Sequence, residues 1–338
     1  MTESACFNWF KVLSATIFSL LLSIAFEPAF ANPLILYKKQ DWNLVTKPGQ
    51  QLRLQLPIQN CSFIDTSDNK LHVQIEVWGD AQNSEQKRRL LKEAMVSVLQ
   101  SGQVITIKSS HNFNETIFSK HIDIDEMPRF LHALWESIFH GDSRTLPMVW
   151  QTPEVMAKLR VELPAYLPID AQLGTGNFHF LNPGAKNSLV VKNGTGLILI
   201  DTASPEIRIH SGTGMVQVQQ SDGVKTVIHT GTGSVHWQGS SQSLEIASGT
   251  GNVQIQAASL PREARLRATT GTGDLDVCFK HKTALDGTIN AGLGGFDLKY
   301  PIAPTFVHGS QYQFGPTANA VKIHFRSGTG KIRLRTCP

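Results

Sequence analysis

Two constellations in this 338-residue sequence carry residue types suited to chemistry. Asp274, Asp276 and Asp297 form the acidic one. Carboxylates about 5 Å apart hold Ca²⁺ with help from carbonyls, or share a proton. His210 and His229 form the other, with Lys192 upstream, and adjacent imidazoles are ligands for a transition metal. A third set is made of hydroxyls, Thr175, Thr195, Thr213, Thr232, Thr250, Thr272 and Thr329, each lying between two glycines. The sequence has no Gly-Lys-Ser/Thr phosphate loop and no Cys-x-x-Cys, and no Ser-His-Asp or Cys-His set stands in a recognisable context.

The elements that must position these residues are repeats. Gly-Thr-Gly recurs at intervals of 20, 18, 19, 18 and 22 residues. A degraded copy, Gly292-Leu293-Gly294, follows 21 residues later, and the last full copy stands 36 residues beyond that one. A period near 20 is the mark of a solenoid, in which each coil covers the apolar face of its neighbour. Aligned on the Thr, the positions four before it read Ala171, Val191, Ile209, Ile228, Ile246, Ala268, Ile289 and Phe325, an inward column. After the motif the apolar columns fall three and five residues on, as in Val235 and Trp237. Inward parity therefore changes from even to odd across the motif, which demands a bulge or corner there. Gly174, Thr175, Gly194, Thr195, Gly212, Thr213, Gly231, Thr232, Gly249, Thr250, Gly271, Thr272, Gly328 and Thr329 are thus read as structural corners. The glycines supply positive φ or close stacking, and the threonines form a hydroxyl ladder.

The same columns place the chemistry. His210 and His229 share an outward column in adjacent coils, following Lys192. Two imidazoles make a poor metal site, and an exposed titrating pair is the simpler reading. Asp276 and Asp297 share another outward column in adjacent coils, so their side chains are expected about 5 Å apart. Lys299 and Arg333 neighbour them, so charge neutralisation on a solvated face accounts for the set as well.

This repeat, preceded by a strand ending in Leu163-Pro164, resembles the bacterial family named "putative adhesin", of unknown function. The resemblance covers about residues 158–338 and extends loosely to strands between 49 and 80. It implies a right-handed single-stranded β-helix on exported proteins, and it brings no catalytic residues with it. The expected fold is all-β: a solenoid of about eight Gly-x-Gly coils over 158–338. An N-terminal strand region, 32–157, precedes it and carries two inserted helices near 84–100 and 127–139. Ser84 caps the first helix and Gly102 ends it; Phe130, Leu131, Leu134, Trp135 and Ile138 line one face of the second. The strands before them read either as hairpin pieces or as atypical first coils.

Residues 1–31 read as a signal peptide: Lys11, an apolar run from Val12 to Phe26, Pro28, and Ala29-Phe30-Ala31 for cleavage. The run is shorter than the ~20 residues of a membrane span, and no later segment is apolar for long enough. An exported protein follows, periplasmic or at the cell surface, without a transmembrane segment after cleavage. A net charge of +4 with 17% charged residues gives no stripe for nucleic acid. Three cysteines stand beyond the signal, Cys61, Cys278 and Cys337. The repeat register places Cys278 and Cys337 two coils and roughly 9.5 Å apart, too far for a direct disulfide unless the terminal residues curl back, so free or partly buried thiols are expected. No cofactor or metal is expected. The leading function is a non-enzymatic binding or scaffold module of the bacterial envelope, an adhesin in its specific form, with a surface glycan or envelope protein as partner. The alternative is a polysaccharide lyase-like enzyme using Asp274, Asp276 and Asp297.

Overall fold

The computed structural model describes residues 36–58, 60–79, 95–109 and 155–337. The signal segment, the start of the first expected helix and the whole of the second lie outside them. The N-terminal strands are β1 (Leu36–Val45), β2 (Gln51–Ile58), β3 (Asn60–Thr66), β4 (Lys70–Gly79), β5 (Val96–Ser101), β6 (Val104–Ser109) and β7 (Val155–Pro164). The repeats give β8 (Ile169–Thr175), β9 (Phe178–Asn182), β10 (Leu189–Thr195), β11 (Ile198–Thr202) and β12 (Glu206–Thr213). They continue as β13 (Val216–Thr232), β14 (Val235–Thr250), β15 (Val253–Ala257), β16 (Arg265–Thr272) and β17 (Leu275–Phe279). The last strands are β18 (Leu285–Asn290), β19 (Phe296–Lys299), β20 (Phe306–His308), β21 (Gln311–Phe314), β22 (Val321–Ser327) and β23 (Ile332–Thr336). Among the described residues there is no helix.

These strands form two ladders. The strands before each corner stack in parallel as β2, β8, β10, β12, the second parts of β13 and β14, β16, β22 and β18. Those after the corner stack as β7, β3, β9, β11, the first parts of β13 and β14, β15, β17, β23 and β19. Within one copy the chain passes from the first ladder to the second through the glycine corner, and β13 and β14 are long enough to serve both. Alternation of apolar and polar residues makes the repeat strands β8 to β17 half-buried. The inward faces meet in one continuous apolar core from Leu52 to Leu334, with Trp237, Phe178, Phe180 and Phe325 fully buried.

The two glycines of a corner do different work. A Cβ on Gly231 would lie 2.8 Å from the Gly212 carbonyl oxygen of the stacked coil, so this position is glycine for close approach. Gly233 has φ +152° and a Cβ there would lie 1.8 Å from the Gly214 oxygen, so both conformation and space exclude a side chain. The Thr between them is exposed and in register, Thr175 with Thr195, Thr213, Thr232, Thr250 and Thr272.

Four expectations need correction or completion. Val96–Gln100, assigned to a helix, is strand β5, an antiparallel partner of β6 with Val98 opposite Ile107. Val96 and Val98 alternate, and pairing with β6 prevails over the local helical pattern; Gly102, read as a helix stop, has φ +56° in the hairpin turn. The early strands are both things considered. β2 and β3 are a first coil lacking the glycine corner, Ile58 standing opposite Thr175, whereas β4 pairs antiparallel with β7 and β1 antiparallel with β4.

The third correction concerns stacking order. β22 and β23, last in the chain, sit between β16/β17 and β18/β19. The chain makes the degraded coil first, doubles back through the antiparallel β20–β21 hairpin, and slots its final coil inside. Phe325 thereby lies between Ala268 and Ile289, a large side chain beside a small one. The fourth follows: Cys278 and Cys337 are in neighbouring coils, Cα atoms 4.9 Å apart, and form a disulfide. Cys61 stays a free thiol, buried in the first coil's inward column, and burial pushes its pKa far up.

Candidate functional site

Because the stacked strands are in register, any outward column becomes a row of side chains about 4.8 Å apart. The row three residues before the Thr runs Gln55, Gln172, Lys192, His210 and His229, from β2 to β13. It borders a groove of 770 Å³ that follows the stack across these five coils. Gly174, Gly194, Gly212 and Gly231 line it with bare backbone, and Leu56 and Leu173 supply its apolar end. The groove exists because glycine has no side chain: the requirement for close stacking leaves an empty track beside the long outward side chains.

His210 and His229 are brought together as the register predicts, with ring centroids 5.2 Å apart and planes at 81°. Partial burial, followed by the charges of His229, Lys192 and Arg208, holds the His210 imidazole below its usual range. Glu206 is 2.6 Å from Arg208 and compensates that cation, while no acid lines the groove. No group of three or more His, Cys, Asp or Glu suited to a metal occurs among the described residues.

The acidic set is arranged otherwise. Asp276 and Asp297 do share a column, but Arg333 of the inserted coil stands between them, so the expected contact does not form. Asp276 accepts from Arg335 at 2.9 and 3.2 Å, Asp274 is 2.8 Å from Arg333, and Asp297 is 3.8 Å from Lys331 and 4.0 Å from Lys299. The backbone N–H of Lys331, together with Arg333, keeps the Asp274 carboxyl below the ordinary range. A second cleft, of 500 Å³, opens on β1, β4 and β7. Its polar groups bond one another: His72 Nδ1 to Asn43 at 2.5 Å, Gln74 Nε2 to Asp41 at 2.9 Å, Arg160 to Glu162 at 3.0 Å.

Sequence reading found the histidine pair and Lys192 but missed Gln55, Gln172, Asn193 and Ser211, which border the groove with them. Gln172 and the two polar residues were legible from the column alignment. Gln55 was hidden because its coil lacks the glycine signature.

No curated protein matches the chain. Among solved structures, a protein titled "putative lipid binding protein" from Parabacteroides distasonis is 9% identical, covering 88% of this chain and 97% of its own, at TM-score 0.40. A "putative adhesin" from Bacteroides fragilis is 11% identical over 88% of this chain and 97% of its own, at TM-score 0.37. A "putative cell adhesion protein" from Clostridium sporogenes is 11% identical over 89% and 100%, at TM-score 0.29. The family described as Toastrack DUF4097 matches residues 59–333, and the chain belongs to that family.

Proposed function

We propose that this chain is an exported, non-enzymatic binding protein of the bacterial envelope, a right-handed β-solenoid whose glycine-lined groove is its ligand surface. The observation that carries the reading is the groove itself, with Lys192, His210 and His229 in one column along it and no acid in its lining. A rigid ladder presents identical geometry coil after coil, which suits a repetitive ligand engaged by many weak contacts. Support for export comes from the Cys278–Cys337 disulfide, a bond of oxidising compartments, together with the signal-like first 31 residues. No helix among the described residues is long and apolar enough to cross a membrane. The non-enzymatic reading is favoured by the ion pairs on Asp274, Asp276 and Asp297, each of which holds a cation of this chain and none of which lines the groove. Adhesion at the cell surface, to a glycan or an envelope protein, is the specific form of this function.

Two measurements test it. Surface protease on intact cells is expected to cleave the protein; protection sinks adhesion and leaves a periplasmic binding role. Retention of the purified chain on isolated cell envelopes is expected to fall at least about tenfold with Gln172→Trp, an exposed position that fills the groove. Retention unchanged by that variant removes the groove as the binding surface.

A further inference from the structure

Beyond the groove the outward face of the first ladder changes character. β14 separates β13, the last strand bordering the groove, from β16. From there β16, β22 and β18 stack in parallel, and β21 and β20 continue the sheet antiparallel to its edge. Residues opposite one another across a ladder point to the same side. Arg265 is opposite Lys322, Arg267 is opposite His324, and Arg326 is opposite Thr269, with all of these basic side chains exposed. On these three strands Arg265, Arg267, Lys322 and Arg326 stand against one outward acid, Asp286, which binds Lys322 at 2.5 Å. Glu245 on β14, opposite Arg267, and Glu263, in the turn before β16, form no ion pair with the arginines. Arg265, Arg267 and Arg326 therefore have no side-chain partner among the described residues. The same coils pair their charges on the second ladder and leave them open on the first.

A cationic face suits any polyanion, and the apolar side chains beside it narrow the choice. Thr288 is opposite Gln313, and Gln313 is opposite Phe306, so Phe306 shares the outward face of Arg267. Four strand spacings separate the two, about 19 Å. Phe306 is 56% exposed on an edge strand, its ring parallel to that of His308. Leu293 takes the place of the corner Thr in the degraded coil and is 88% exposed. That corner meets the β20–β21 hairpin through the Ala291 N–H, which donates to the Ser310 carbonyl at 3.1 Å, so Leu293 stands at the rim of the face. A soluble polyanion offers nothing to an exposed Phe and Leu. A bilayer surface offers both layers, anionic headgroups for the arginines and acyl chains for the apolar rim.

We propose that this face docks the protein on an anionic lipid bilayer, with Arg265, Arg267 and Arg326 against headgroup phosphates and Phe306 and Leu293 inserted at the edge. A guanidinium meets a phosphate with two parallel hydrogen bonds, which suits exposed arginines that have no carboxylate of their own. The docking face is a second surface, distinct from the groove. On a whole envelope the two act together, so loss of either weakens retention. Pure lipid presents the bilayer alone and separates them.

The test is co-sedimentation of the purified full chain with vesicles of equal parts phosphatidylcholine and phosphatidylglycerol, against vesicles of phosphatidylcholine alone. Binding is expected to the anionic vesicles only, and to be lost as salt rises from about 0.05 to about 0.5 M. Each arginine contributes about fivefold, so the triple variant Arg265→Gln, Arg267→Gln, Arg326→Gln is expected to lower the partition coefficient on the order of a hundredfold. Lys38→Gln with Lys47→Gln and Lys70→Gln removes the same charge at the other end of the molecule and is expected to change nothing. Phe306→Ser with Leu293→Ser is expected to weaken binding about tenfold. Gln172→Trp is expected to leave vesicle binding intact, which keeps this result separate from that of the groove. Unaltered melting temperatures verify that these exposed substitutions preserve the fold. Equal binding to neutral vesicles, full binding by the arginine variant, or equal losses from the two lysine and arginine triples each overturns the proposal. If soluble polyglutamate binds as tightly as the vesicles and the Phe306 and Leu293 variant is unaffected, the face takes a polyanion and the bilayer is wrong.

Discussion

The coils bordering the groove and the second ladder at the C-terminal end share one backbone plan and treat their outward charges in opposite ways. At the C-terminal end the column Asp276, Arg333, Asp297 alternates in sign, and Arg335, Lys331 and Lys299 complete the pairing. Around the groove, Lys192, His210 and His229 follow one another with no acid between them. A ladder whose charges alternate neutralises itself and favours assembly of the stack. A ladder whose charges agree is slightly self-repelling and is satisfied only from outside. The lesson is that an unpaired charge is to be sought where the register fails to close its own electrostatics, and the acidic cluster, chemically the more suggestive in sequence, is held in ion pairs.

The strongest way to break the comparison is to break the shared plan. Gly233→Ala places a Cβ 1.8 Å from the Gly214 oxygen at φ +152°, and is expected to cost more than about 4 kcal/mol, seen as loss of soluble folded protein. Gly309→Ala, at φ +56° with nothing within 4 Å, is expected to cost only about 1–2 kcal/mol in chemical denaturation. Equal effects would refute the stacking argument.

Next in size is the staple at the C-terminal end. Cys278→Ser with Cys337→Ser opens a bridge between residues 59 apart, and a loss of about 2–4 kcal/mol is expected. Hydrogen exchange should accelerate in β22 and β23 and leave β10 to β12 unchanged. Uniform acceleration would mean that the two regions unfold as one unit.

A smaller effect tests the self-neutralised column. Arg333→Ala leaves Asp276 and Asp297 facing a gap and removes a partner of Asp274, and about 0.5–1 kcal/mol is expected, since these groups are solvent-screened and partly exposed. The folded state holds the Asp274 carboxyl below its unfolded value. Its contribution is therefore present above about pH 4 and lost as pH falls through the lower folded value, so the wild-type advantage should shrink in acid. An advantage constant down to acid pH would show that Arg333 acts through packing.

The smallest effect lies in the groove and has the opposite sense. The folded state disfavours the His210 imidazolium, chiefly through burial and then through His229, Lys192 and Arg208. The unfolded chain binds more protons, so stability is full above about pH 6.5 and declines as pH drops below it. His210→Gln is expected to flatten that decline in thermal melts, whereas a steeper decline would assign the strain to another group.

Much of this molecule is written locally. The columns around Gly-Thr-Gly, the change of inward parity, the corner glycines and the His210–His229 neighbourhood follow from a period of two interrupted by a residue type that alone tolerates the corner. The first coil was obscured because Ile58 stands where Thr does elsewhere, and β5 because Val96 and Val98 fit a helical face and a strand face alike.

Stacking order was decided only by tertiary structure. Coils with the same inward columns offer the same hydrogen bonds and the same apolar faces, so pairing rules alone do not say which coil lies beside which. The 36-residue interval before Gly328 gives the chain length to turn back, and three long-range matches then choose the place. They are Arg333 and Arg335 against Asp274 and Asp276, Phe325 beside Ala268, and Cys278 bonded to Cys337. The groove likewise belongs to the assembled stack. A glycine is a point in the sequence, and it becomes a track only when five coils align.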